Sequence, residues 1–102
     1  MNKPILTLEE AKAVVATKQH PRVTEESITA KIKSVEYVRV GACGTLCIIT
    51  MVNGWTSTGY TAPADERNYD EAVAQRYAYD NAFKPLWQLE GYLLRNKLHE
   101  GS

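Results

Sequence analysis

The chain is poor in the residues that usually carry chemistry. Its 102 residues include two cysteines and two histidines, and twelve basic residues balance twelve acidic ones. On a regular strand Cys43 and Cys47 would share a face with sulfurs roughly 13 Å apart, beyond disulfide or shared-metal reach. No second cysteine pair and no neighbouring histidine completes a zinc set, so neither a metal nor a cofactor is expected. His20, before Pro21, and His99, near the C-terminal end, stand at no spacing that would orient them beside a nucleophile. Neither a GxGxxG nor a P-loop pattern occurs. The longest apolar run, Leu46 to Val52, is broken by Thr50 and falls far short of the roughly 20 residues that span a bilayer. The opening MNKPILTLEE lacks the apolar centre of a secretory signal, which predicts a cytoplasmic protein. Zero net charge removes the overall field that draws proteins to nucleic acid, leaving only a local patch at Lys31, Lys33 and Arg39.

What is present is ordinary globular composition, 44% apolar and 24% charged, which fits a single domain over residues 1–102. A chain this short buries only about 60–70% of its unfolded surface, and small scaffolds often recruit partner subunits.

The local signals predict an α+β fold. Thr7-Leu8-Glu9-Glu10 is a capping box that starts a helix running to about Lys18, which His20-Pro21 ends. Thr24 caps a second helix, with Val23 and Ile28 placed as a staple and Ile32 extending the same stripe. From Val35 the period becomes two. Strands are predicted at Val35–Val40, Thr45–Val52 and Trp55–Thr61, the last two joined by Asn53-Gly54 in a two-residue type I′ hairpin. That turn sets Thr50 opposite Ser57 and Ile48 opposite Gly59, with Cys47, Ile49, Met51, Thr56, Thr58 and Tyr60 on the other face. Asn68 and Glu71 form another capping box, which starts a long helix that Pro85 kinks or restarts. Beyond Pro85, Leu86, Leu89 and Leu93 form one apolar line and Trp87, Leu94 and Leu98 another, with Glu90 and Lys97 between them.

Two expectations about binding follow. One helical layer covers a single face of a three-stranded sheet, so the second face and the wide helix arc predict a homo-oligomer. Its contacts would involve Ile49, Met51, Trp87, Leu94 and Leu98. The hairpin also returns Tyr60 toward the start of the long helix, near Arg67, Asn68 and Arg76. A helix N-terminus, two arginines and an aromatic ring could hold an anionic ligand with a flat ring. A packed tyrosine, a cap and two solvated arginines would account for the same residues. Paired carboxylates occur at Glu9/Glu10, Glu25/Glu26 and Asp70/Glu71, all in predicted first helical turns, where the helix dipole explains them.

The segments PRVTEESITAKIKSVEY, NGWTSTGYTA and NYDEAVAQRYAYDNAFKPLWQLEGYLLR together resemble the bacteriophage gene-product-49-like proteins. The resemblance runs in order from about Thr7 to Lys97. The chain departs from the family pattern at Trp55 and Tyr69, where phenylalanine is usual, and at Tyr60-Thr61, where an acidic residue and serine are usual. It implies a phage or prophage accessory protein acting in the bacterial cytoplasm, and the absence of a catalytic constellation makes a non-enzymatic role the expectation. The layout of hairpin, capped helix and long C-terminal helix is also loosely similar to the Thoeris anti-defence sponge proteins. That similarity implies sequestration of a nucleotide-derived signal, for which Tyr60, Arg67, Asn68 and Arg76 are the candidate contacts read from the hairpin and the helix start. The alternative is a host-takeover module that binds a bacterial protein.

Overall fold

The computed structural model describes residues 3–101. In chain order it contains α1 (Leu8–Ala16), α2 (Glu25–Thr29), β1 (Ile32–Val40), β2 (Gly44–Met51), β3 (Thr56–Thr61), a short 3-10 turn (Glu66–Asn68) and α3 (Glu71–Glu100). The strands form one antiparallel sheet in the order β1-β2-β3, giving an α+β architecture.

Local signals account for both N-terminal helices. The Glu10 N–H donates to Thr7 Oγ1 at 3.1 Å and the Thr7 N–H to Glu10 Oε1 at 2.8 Å. These bonds hold the Glu10 carboxyl below its usual range. No residue of α1 is buried. At α2, Thr24 and Ser27 exchange the same reciprocal pair, each at 3.0 Å. Ile28 is fully buried and Val23 packs against the same core. The helix ends at Thr29, and Ile32 belongs to β1 instead of extending the helical stripe. A bulge between Ile32 and Ser34 keeps Ile32 on the core side.

The hairpin differs from the expected one by a single residue, with large consequences. Gly54 is left-handed at φ 91° while Asn53 is not, so the type I′ turn does not form. The Gly54 N–H donates to the Met51 carbonyl at 2.9 Å and the Met51 N–H to the Trp55 carbonyl at 2.8 Å. The loop is therefore three residues, Val52 to Gly54, ending on a left-handed glycine. Thr50 pairs with Thr56, Ile49 with Ser57 and Cys47 with Gly59. A one-residue slip exchanges the two faces of a strand. Ser57 and Gly59 thus face the core beside Ile49 and Cys47, while Thr56, Thr58 and Tyr60 face out.

Those small inward residues seat α3. Its buried line is Ala74, Ala78, Ala82 and Leu86, spaced four apart, with Phe83 beside it. A Cβ on Gly59 would lie 2.2 Å from the Ala82 nitrogen, and Ser57 Oγ donates to the Ala82 carbonyl at 2.7 Å. The helix packs over β2 and β3 and scarcely touches β1. Ile49 and Met51, expected between subunits, are instead buried in this core beneath the chain's own helix.

The start of α3 also differs from expectation. Asp70, not Asn68, is the cap, accepting the Val73 N–H at 3.0 Å. Asn68 lies in the preceding 3-10 turn. The helix runs through Pro85 without restarting and continues to Glu100. Among the described residues no helix is long and apolar enough to cross a membrane.

Gly59→Ala is expected to destabilise the protein by about 3 kcal/mol, because the methyl group meets helix backbone that cannot swing aside. Urea denaturation measures it. By the same assay Asp70→Ala should cost about 1 kcal/mol and Asn68→Ala much less, as loss of a cap requires.

Candidate functional site

The four residues expected to grip a ligand do not converge. Tyr60 lies on the outer face of the sheet, opposite Leu46, and its carbonyl accepts from Asn81 Nδ2 at 3.0 Å. Arg67 is held by Asp65, with Nε 3.0 and 3.1 Å from the two carboxylate oxygens and Nη2 2.6 Å from one of them. These bonds lower the Asp65 carboxyl, although solvent reaches both side chains. Asn68 follows in the same turn. Arg76 is on α3, bonded to Asp80 one turn later and lying 5.4 Å from the Tyr79 ring centre. It borders a groove with Phe83 and Trp87 on the helix side of the sheet. The sheet therefore stands between Tyr60 and Arg76, and both arginines already have carboxylate partners.

The residues expected at a subunit contact also separate. Trp87 packs edge-on to Phe83, ring centres 6.1 Å apart, with much of its indole exposed. Leu94 is half-buried beside Val23, and Leu98 is exposed near the helix end. Cys47 is fully buried, which raises its thiol pKa, and Cys43 Sγ donates to the Pro63 carbonyl at 3.6 Å. Among the described residues no cluster of His, Cys, Asp and Glu could hold a metal ion. The Thr45 hydroxyl is buried without a partner among the described residues. It lines a groove of only 150 Å³ with Arg39, whose guanidinium lies 4.0 Å above the Tyr69 ring.

The most apolar of the concavities described lies elsewhere, where α3 runs past the hairpin. Met51, Val52 and Trp55 form one wall, and Leu86, Leu89, Tyr92 and Leu93 form the other. The pocket encloses 420 Å³, within the range of sites that take a small ligand or a partner's side chain. Its charged groups are one ion pair, Lys31 to Glu90, with Glu90 the more enclosed partner, and Asn53 adds an amide at the hairpin. The same pair borders a second groove of 220 Å³, in which Arg22 and Lys97 add positive charge. The site is thus an apolar pocket joined to a basic groove across a salt bridge.

Part of this site was visible in the leucine spacing and in Glu90 interrupting the apolar arc. Its other wall was not, because Lys31 and Glu90 are 59 residues apart and the hairpin tip reaches the helix only through the sheet. The pocket should bind anilinonaphthalene sulfonate in the native state. Fluorescence titration should show saturation for the parent chain and a several-fold weaker signal for Leu89→Glu.

A family model described as the phage protein (N4 Gp49/phage Sf6 gene 66) family matches residues 23–98. The matched span holds the whole sheet, the pocket walls and nearly all of α3, and excludes α1. Searches of curated proteins and of solved structures return no match. On the family match, which covers well over half of its length, the chain belongs to the N4 Gp49/phage Sf6 gene 66 family of phage proteins.

Proposed function

We propose that this phage protein is a non-enzymatic accessory protein of the infected cell's cytoplasm that acts by binding a bacterial protein through the pocket between hairpin and α3. One observation carries the reading. Around that pocket Val52, Trp55, Leu89, Tyr92 and Leu93 are all substantially exposed, in one contiguous apolar surface. Monomeric soluble domains rarely leave such a patch bare unless it binds something. Trp and Tyr at the rim of a preformed pocket are the residue types that dominate protein interfaces. The ion pair and the basic groove beside it would orient an acidic flank of the partner.

Sequestration of a nucleotide-derived signal is the second reading. It now draws on the pocket instead of the four residues first expected, since 420 Å³ with two rim aromatics suits a flat ring. Arg67 and Arg76 do not line this cavity.

A pull-down from host lysate separates the two. The parent chain and Thr58→Glu, altered on the far sheet face, should retain the same bacterial protein. The double variant Leu89→Glu/Leu93→Glu should lose it. Retention of nothing, together with a thermal shift by a cyclic nucleotide or an ADP-ribose derivative, would assign the function to sequestration.

A further inference from the structure

β1 is the least covered strand of the sheet. It is nine residues long and lies at the sheet edge, yet α3 covers only its two neighbours. Val35 and Tyr37 face the helix side and Val38 and Val40 the other, and all four are 37–45% exposed. Above Tyr37 the space is an open groove of 550 Å³ bounded by Gln75, Arg76 and Tyr79. Among the described residues, no backbone hydrogen bond outside the sheet ladders involves residues 33–40. The free edge therefore presents a row of unused donors and acceptors, a template for another strand.

We propose that β1 pairs antiparallel with β1 of a second copy, joining two three-stranded sheets into one six-stranded sheet about a two-fold axis. The strand's own charges select both partner and register. Centring the axis on Glu36 would set two carboxylates directly opposite, which destabilises a strand pair. Centring it on Tyr37 sets Tyr37 against its own copy, Glu36 against Val38, Val35 against Arg39 and Ser34 against Val40. No like charges then stand directly opposite one another. The bulge at Lys33 limits the pairing at one end, and the turn at Gly41 limits it at the other. The neutral chain adds no overall repulsion between copies. Both α3 helices would lie on the same face, so the two open grooves merge over the paired strands and enclose both Tyr37 rings. An isologous contact of this kind closes on itself and stops at two copies.

Light-scattering chromatography of the full chain should give twice the 11.4 kDa chain mass. Tyr37→Lys places two ammonium groups together at the axis and should halve that mass while the chain stays folded by circular dichroism. Tyr37→Cys in a Cys43→Ser/Cys47→Ala background, which removes the thiol paired with residue 37 across the ladder, should form an interchain disulfide on mild oxidation, and Thr58→Cys in the same background should not. If Tyr37→Lys fails to fold, this cross-link decides. A monomeric parent chain overturns the proposal, as does a dimer that survives Tyr37→Lys or gives no Tyr37→Cys cross-link.

Discussion

The contact on which the structure depends is the close approach of α3 to β3. Gly59 leaves no room for a side chain beneath the Ala82 backbone, and Ala78 crowds it from the preceding turn. Ser57 adds a buried hydrogen bond to the Ala82 carbonyl. Because the residues at this seam are small, the helix backbone sits almost on the sheet. The larger apolar groups, Ile28, Ile49, Met51, Phe83 and Leu86, then fill the space beside it. Large side chains at residues 57 and 59 would lift the helix and open that core.

Seating the helix over β2 and β3 has two consequences. At roughly 1.5 Å per residue, a helix of 30 residues spans about 45 Å, whereas an eight-residue strand spans about 26 Å. The C-terminal half of α3 must project past the sheet, and it carries Leu89, Tyr92, Leu93 and Leu98 into solvent. Sideways, β1 is left without a helix above it. Both uncovered surfaces follow from one packing choice, and they lie on different parts of the molecule. One can serve a foreign partner while the other serves assembly.

The separation of the candidate ligand residues has the same origin. With the hairpin closed by three residues, Tyr60 turns to the face away from α3, and Arg76 cannot reach around the sheet to join it. The arginines instead satisfy Asp65 and Asp80 locally. The polar group that does sit in a concavity, Glu90, meets Lys31 from the other end of the chain.

Much of the fold was legible because it rests on short-range chemistry. Thr7 with Glu10 and Thr24 as a cap start the first two helices, the period of two marks three strands, and the leucine spacing marks the helix beyond Pro85. These depend on neighbours within four residues, which the chain order supplies directly. The hairpin register was not legible. Asn53-Gly54 suits either a two-residue turn or a three-residue loop, and the two differ only in which residues of β3 face inward. The helix resolves that choice, since only Ser57 and Gly59 let Ala78 and Ala82 come close. Asp70 displaced Asn68 as the cap in the same way, by where the chain leaves the 3-10 turn. The sequence by itself determined the elements and their order. The tertiary structure alone decided the facing of β3, the uncovered β1 edge and the pocket at Glu90, because each depends on groups far apart in the chain meeting across the sheet.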